Sequence, residues 1–360
     1  MSQTSTYLSS TSRHDMKIFE CGNCSHPLYF ENESCEKCGH LSGYFGDNFM
    51  MLTFDPTTSH LISDRDGNTF KYCENKGFGV CNWLIPASNE NHFCNACELN
   101  RTIPDLSDNE NFPKWQKLEV AKHRLVYQLE RLKLPIPSKE TNDSEGLCFD
   151  FISKGRRDKI MTGHANGVIT ILLSEADSVH REQMRKQLSE PYRTLIGHFR
   201  HEVGHYFWDR LVATNQSVLN DFRNLFGDER ADYGDSLKRY YQTGASQNWQ
   251  DNFISQYATS HPWEDWAETW AHYLHIMDMS ETSYFFGMSV NPLLNDKSLS
   301  GSIAFDPYEI KDFGSIFNDW MPLSFAINSL NRSMGIPDAY PFVVSPTVVK
   351  KMAFIHQLLF

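Results

Sequence analysis

The sequence has no run of about 20 apolar residues, the length that crosses a bilayer, so we expect no membrane span. Residues 1–16 are rich in serine and threonine, and they lack the apolar stretch and the small-residue cleavage site of a secretory signal. We therefore expect residues 1–18 to form a flexible tail.

Basic side chains are scarce in the part of the chain that holds most of its cysteines. Residues 19–110 carry 14 acidic side chains against 5 basic ones, within a chain whose net charge is −12. Nucleic-acid phosphates attract basic surfaces and repel acidic ones. The charge balance therefore argues against nucleic acid as a partner, although small zinc modules often bind it.

Eight of the nine cysteines lie within residues 19–110. A chain without a secretory signal is expected in the reducing cytoplasm, where paired Cys-x-x-Cys spacing indicates metal binding more often than disulfides. Two four-thiolate sets, each predicted to bind one structural zinc, are Cys21, Cys24, Cys35 and Cys38, and Cys73, Cys81, Cys94 and Cys97. In the second set His92 or His26 could replace a thiolate, and Cys148, the ninth cysteine, is expected as a buried thiol in a strand.

The pattern of apolar residues places secondary structure around these motifs. An Asn-Gly turn and a β-branched run predict a strand within residues 162–173, about 30 residues before His201. Residues 280–300 are expected to form a loop. Helices are predicted over residues 114–133, 192–211 with Pro191 at the start, 263–277, 313–330 and 346–359.

A His-Glu-x-x-His motif lies in the middle of the second of these predicted helices. Residues four apart lie one above the other on a helix, so His201 and His205 can present two imidazoles to one ion. Glu202, about 100° further around the helix axis, can then reach a water molecule on that ion and act as general base. This arrangement predicts a catalytic zinc site.

A catalytic zinc needs a third protein ligand, and the sequence offers two acidic clusters for it. Glu264 and Glu268 are again four residues apart, so one carboxylate can bind the metal while the other holds a ligand imidazole from behind. We favour Glu264 as the ligand and Glu268, with His272, as the supporting residues. The alternatives are Glu268 itself and the acidic group at residues 228–232.

Hydrolysis of a peptide bond also needs a group that faces the developing oxyanion. Tyr257 lies seven residues before Glu264, while Tyr233 and His272 are further candidates. The residues alone leave the three open.

The chain resembles the bacterial zinc-binding metallopeptidases that carry an N-terminal zinc ribbon, over most of residues 19–290. The resemblance is carried by CNW at 81–83, LNRTIPDL at 99–106, EPYRT at 190–194, FGDER at 226–230 and HPWEDWAE at 261–268. The last segment, with Tyr257 upstream, is similar to the gluzincin peptidases, in which an upstream tyrosine assists the oxyanion. This likeness favours Tyr257 over Tyr233.

We therefore expect an α+β, zincin-like metallopeptidase domain over residues 111–360, mostly helical with a small mixed sheet and a metal cleft below an edge strand. A double zinc-ribbon module over residues 19–110 precedes it. The expected function is hydrolysis of a peptide or protein substrate with one catalytic and two structural zinc ions, and the module could also bind a protein partner. The alternative is a zinc-stabilised interaction or regulatory protein with a catalytically silent metal site.

Overall fold

The computed structural model of the chain describes residues 18–153, 161–187 and 194–360. It divides into two compact units, Met1–Cys94 and Asn95–Phe360. The first unit consists of short strands and turns, whereas the second consists of helices around a four-stranded sheet.

The first unit contains seven strands in its described part. They are β1 (Phe19–Glu20), β2 (Pro27–Leu28), β3 (Leu41–Phe45), β4 (Met50–Phe54), β5 (Leu61–Ile62), β6 (Thr69–Tyr72) and β7 (Leu84–Pro86). All pairs are antiparallel, with β1 on β2, β3 on β4, and β5, β6 and β7 in sequential order. A unit of such short strands exposes much of its backbone and needs another source of stability, which bound metal can supply.

The apolar core of the first unit is small. Its centre is Leu52, Phe54, Phe70 and Leu84, all of them buried. A second aromatic cluster joins Tyr44 to Trp83, whose ring centroids lie 4.8 Å apart.

The second unit contains the remaining strands and the α-helices. They are β8 (Asn100–Thr102), α1 (Asn111–Arg131), β9 (Cys148–Ile152), β10 (Gly163–Ala165), β11 (Val168–Leu172), α2 (Ser178–Gln187), α3 (Leu195–Leu211), α4 (Gln216–Phe226), α5 (Tyr233–Thr243), α6 (Pro262–Phe285), β12 (Ser289–Val290), β13 (Gly301–Ser302), α7 (Phe313–Ser333) and α8 (Pro346–Leu359). The α+β class, with a small mixed sheet among helices, is confirmed.

The four-stranded sheet of the second unit has the order β10-β11-β9-β8. β10 is antiparallel to β11, while β11, β9 and β8 are mutually parallel neighbours. Asn166 and Gly167 both have positive φ angles, of 50° and 78°, as the tight hairpin turn between β10 and β11 requires. The predicted β-branched strand, β11, is therefore internal, while β10, which precedes the turn, and β8 are the edge strands of the described sheet.

Helix α3 lies between this sheet and helix α6. Phe149 and Phe151 of β9 pack on Phe199 of α3, at ring-centroid distances of 5.7 and 6.3 Å. On its other side, the backbone carbonyl of Gly204 accepts a hydrogen bond from the Trp266 indole at 2.8 Å. A Cβ atom at Gly204 would lie only 3.1 Å from the Cα atom of Ala267, so the glycine permits the close approach of the two helices.

Helix α6 continues to Phe285, so the prediction of a loop from residue 280 is wrong at its start. The polar residues of this last part are buried rather than exposed. Glu281 accepts hydrogen bonds from the Tyr127 hydroxyl at 2.6 Å and from Arg131 at 3.0 Å, and its side chain is fully buried. A polar stretch of sequence favours a loop, because the local pattern carries no information about partners on a distant helix.

The start of α3 in the described residues is Leu195, with Thr194 as the N-cap accepting the amide of Gly197 at 3.1 Å. The predicted start at Pro191 lies outside the described residues. None of the helices in the described part combines the length and the apolar character that a bilayer span would need.

Candidate metal centre

Three side chains from α3 and α6 converge on one point. The Nε2 atoms of His201 and His205 lie 3.2 Å apart, and Glu264 Oε2 lies 3.1 Å from the first and 3.6 Å from the second. Zinc bonds of about 2.0–2.2 Å to nitrogen and oxygen place neighbouring ligands of a tetrahedron roughly 3.3 Å apart. The three measured distances fit that geometry.

The surroundings of Glu264 also fit a metal ion. Its side chain is only 1% exposed, yet Oε2 accepts no hydrogen bond among the described residues. A buried carboxylate oxygen without a hydrogen bond is costly unless a cation satisfies it. The donor set of two imidazoles and one carboxylate is the set that zinc prefers in hydrolytic sites.

His201 is held from behind by Glu268. Its Nδ1 atom lies 2.7 Å from Glu268 Oε1, and Glu268 Oε2 accepts a hydrogen bond from the Ser255 hydroxyl at 2.6 Å. With the Nδ1 proton donated to the carboxylate, the Nε2 lone pair is left to face an ion. The structure thus brings Glu268 to the position that the sequence predicts for it.

The charges of His201, Glu264 and Glu268 shift one another's pKa values. Burial would lower the pKa of His201, but its contacts with the carboxylates of Glu264 and Glu268 outweigh that effect and hold the pKa well above its usual value. Burial would raise the pKa of Glu268, but the hydrogen bond and charge of His201 hold it at about 2. A proton on His201 therefore competes with metal binding, as it does for imidazole ligands generally.

Glu202 is half-buried one position after His201 on α3. It makes no hydrogen bond or ion pair with the other described residues, although its charge acts on the Tyr233 hydroxyl. The carboxylate of Glu202 is therefore not committed to a structural partner in the described part of the chain.

Two of the candidate oxyanion residues lie at the metal centre. The Tyr257 ring centroid is 6.0 Å from that of His201, while the Tyr233 hydroxyl donates to Glu264 Oε1 at 2.6 Å. Burial and then the charge of Glu264 raise the pKa of both tyrosines, so both hydroxyls keep their protons at neutral pH. The third candidate, His272, accepts or donates a hydrogen bond with the Tyr340 hydroxyl at 2.9 Å.

The acidic group at residues 228–232 is engaged elsewhere. Asp228 forms an ion pair with Arg230 at 2.7 Å, and Glu229 forms one with Arg223 at 2.5 Å. Asp232 caps the first turn of α5 by accepting the Asp235 amide at 2.7 Å. Of the two acidic clusters, the structure brings Glu264 and not this group to the two histidines.

Two supporting residues cannot be recognised from the sequence. Ser255 donates to Glu268, but nothing in its local sequence distinguishes it from any other serine. The sequence suggests Tyr233 only as an oxyanion partner, because its contact with Glu264 joins residues 31 positions apart. Local patterns along the chain carry no signal for such a contact.

The cysteines form the two predicted sets. Neighbouring Sγ atoms lie 3.6 Å apart for Cys21 and Cys38 and for Cys24 and Cys35, and 3.7 Å apart for Cys81 and Cys94. These distances are far longer than the roughly 2.05 Å of a disulfide, but zinc–sulfur bonds of about 2.3 Å place tetrahedral thiolates roughly 3.8 Å apart. The four Sγ atoms of the first set lie within 4.8 Å of one another, as expected for one shared ion, and so do those of Cys73, Cys81 and Cys94 in the second set.

Two glycines allow the tight turns of the first cysteine set. Gly39 has a φ of 78°, which favours glycine, whereas a Cβ atom at Gly22 would lie 2.9 Å from the Thr53 hydroxyl.

His92, the alternative ligand for the second set, is exposed and lies 2.5 Å from the Glu74 carboxylate. Cys148 is buried in β9, as predicted, and burial raises the pKa of its thiol.

A further group of metal-ligand side chains, Cys97, Glu119 and His123, has ligand atoms close enough together to bind one ion. However, the Lys122 ammonium lies 2.8 Å from Glu119 Oε2, with both side chains fully buried. That ammonium already supplies the cation, so we do not interpret this cluster as a metal site.

The fold and its sites agree with the comparison to known families. Residues 111–358 match the family described as "Putative zinc-binding metallo-peptidase", and residues 18–108 match a zinc-ribbon domain. The chain belongs to this zinc-binding metallopeptidase family and carries an N-terminal zinc ribbon, as the resemblance predicts.

The chain is also similar to individual proteins along nearly its whole length. It is 41% identical over 343 residues to uncharacterized proteins of Mycobacterium bovis and of two strains of Mycobacterium tuberculosis, covering 95% of each chain. No solved structure matches the chain.

Proposed function

We propose that the chain is a zinc-dependent peptidase of the gluzincin type, with His201, His205 and Glu264 as ligands of the catalytic zinc. The observation that carries the proposal is the convergence of two Nε2 atoms on a buried carboxylate oxygen that has no hydrogen bond in the described residues. Zinc bound there would polarise a substrate carbonyl and lower the pKa of a water molecule to about 7.

Four further side chains have roles in the proposed hydrolysis of the peptide bond. Glu202 accepts the proton of the attacking water and passes it to the leaving nitrogen. Tyr257 donates its hydroxyl proton in a hydrogen bond to the developing oxyanion. Glu268 holds His201 so that its Nε2 atom faces the ion, and His272 supports this arrangement.

Strand β10 is the proposed place for the substrate backbone. It is an edge strand of the described sheet, and the ring of its His164 stacks on the His205 ring at a centroid distance of 6.5 Å. An extended peptide can add to such an edge through main-chain hydrogen bonds. The substrate would therefore be a peptide or protein in extended conformation.

We also propose how the whole chain is organised into domains and zinc sites. We place the catalytic domain at residues 111–360 and a double zinc-ribbon module at residues 19–110, with one catalytic and two structural zinc ions. The nine cysteines, all within the described residues, form no disulfide with one another. We propose a cytoplasmic location, because thiolate ligands of zinc persist in a reducing compartment.

The test compares wild type with Glu202→Gln at equal zinc content on a broad peptide library. The amide cannot accept the proton, so the rate should fall by about 10²–10⁴-fold while zinc binding is kept. Glu309→Gln, the same change at an exposed site, should leave the rate unchanged. If wild type and Glu202→Gln are equally inert with the metal bound, the site is catalytically silent and the interaction-protein alternative stands.

A further inference from the structure

The two oxygens of the Glu264 carboxylate have different surroundings. Oε2 faces the Nε2 atoms of His201 and His205, whereas Oε1 accepts a hydrogen bond from the Tyr233 hydroxyl at 2.6 Å. A distance of about 2.5–2.7 Å is typical of a charge-assisted bond between a hydroxyl and a carboxylate. The contact thus distinguishes one oxygen of the ligand from the other.

That distinction matters for the coordination number of a bound ion. A carboxylate can bind zinc through one oxygen or through both, and hydrolysis requires a position left open for water. Because Oε1 already accepts the Tyr233 hydrogen bond, it is a weaker zinc ligand than Oε2, which faces the two imidazoles. The contact with Tyr233 therefore favours binding through a single oxygen.

Tyr233 is itself fixed to the helix that carries Glu264. Its ring packs against the rings of His261 and Trp263, at centroid distances of 5.2 and 6.0 Å. His261 Nδ1 accepts the Trp263 amide at 3.1 Å as the N-cap of α6, which leaves its Nε2 proton for the carbonyl of Ala231 at 3.0 Å. The turn before α5 and the first turn of α6 are thus joined through one histidine.

We propose that Tyr233 is a positioning residue that keeps Glu264 bound to the catalytic zinc through one oxygen and so preserves the open position for water. This inference rests on the metal site of the proposed function. It assigns the two tyrosines different roles, since Tyr257 would act on the substrate and Tyr233 acts on the ligand.

The test is the affinity of the full-length protein for the zinc ion that is lost in His201→Ala, measured by chelator competition. Tyr233→Phe removes the hydrogen bond and keeps the ring, and the dissociation constant should rise by about 10–100-fold, as for other residues that support a ligand. With cobalt exchanged into this site, the visible absorption of the variant should weaken, because a carboxylate bound through both oxygens raises the coordination number. Tyr241→Phe, at a residue of the same helix that is 61% exposed, should change neither quantity.

Other results would overturn the inference and would identify which proposal fails. An unchanged dissociation constant and cobalt spectrum in Tyr233→Phe, with a lower kcat, would make Tyr233 a partner of the transition state instead. A wild-type protein that binds only two zinc ions would remove both this inference and the proposed site. A protein with three ions but no hydrolysis would refute the peptidase proposal alone, because the affinity measurement does not depend on activity.

Discussion

A buried ion pair below the metal centre offers a quantitative test of the packing. Asp265 follows Glu264 in the first turn of α6, and its Oδ2 atom lies 2.6 Å from the Nζ atom of Lys351 in α8. The two side chains are 0% and 2% exposed. The same ammonium also donates to the carbonyl of Asn252 at 2.6 Å.

Replacing Lys351 with methionine keeps the length of the side chain and removes its charge. The carboxylate of Asp265 would then be buried without a cation, within range of the charge of Glu268. Removal of one partner from a buried pair typically costs about 3–5 kcal/mol in the free energy of unfolding. At roughly 2–4 °C per kcal/mol for a domain of this size, the melting temperature should fall by about 6–20 °C.

The assay is urea and thermal unfolding of the zinc-loaded protein, followed by circular dichroism. Lys350→Met, the same change at the adjacent exposed position, should alter stability by no more than about 0.5 kcal/mol. Asp265→Asn in the Lys351→Met background removes the orphaned charge and should restore most of the loss. A cost of less than about 1 kcal/mol for Lys351→Met, below the range for breaking a buried pair, would show that the ion pair does not stabilise this packing.

Three further changes test other contacts. Glu268→Gln should weaken zinc binding at His201 by about 10–100-fold, because the amide orients the imidazole less firmly. Gly204→Ala should destabilise the protein by about 1–3 kcal/mol, because the added methyl group meets α6, including Trp270 at 3.2 Å. His272, whose pKa burial lowers to about 4, should make stability fall as pH decreases from about 6.5 to 4, since only the unfolded chain takes up the proton there.

Each of these predictions has a measurement that can contradict it. Equal zinc dissociation constants for Glu268→Gln and wild type would show that the contact with His201 is incidental. A Gly204→Ala protein with the wild-type unfolding midpoint would mean that α3 and α6 can separate without cost. For His272, replacement by glutamine should flatten the dependence of unfolding free energy on pH between 6.5 and 4, and an unchanged slope would assign that dependence to other groups.

The parts of the metal centre that sequence could predict are those set by helix geometry. His201 with His205 and Glu264 with Glu268 are pairs four residues apart, and each pair lies on one helical face whatever the rest of the fold does. The spacing of residues along the chain does not determine how the two helices are placed relative to each other. It depends on contacts such as the Trp266 indole on the Gly204 carbonyl, which join residues far apart in the chain.

The secondary structure could likewise be predicted where the local sequence determines it, and not where distant contacts do. Helix α8 matches its predicted bounds, because a proline after a serine cap begins it and its apolar periodicity is clear. Helix α6 was predicted to end too early, because its polar residues near Glu281 are buried by partners from α1. Periodicity predicted no helix for α4, although Phe222 and Phe226 on one face carry a usable signal.

The support of Glu264 lies beyond any local pattern. Tyr233 reaches the carboxylate from the first residue of α5, 31 positions earlier, and its position depends on the rings of His261 and Trp263 that only the folded chain assembles. Such contacts set how a ligand is held, while the ligand types themselves can be inferred from the sequence.

The most direct test of the proposed metal centre is the zinc content of the purified full-length protein, with and without His201→Ala. We expect three ions per wild-type chain and two in the variant, because the two cysteine sets keep their ions. Two ions in both proteins would show that the histidines and Glu264 bind no metal, and the peptidase proposal would fall with them.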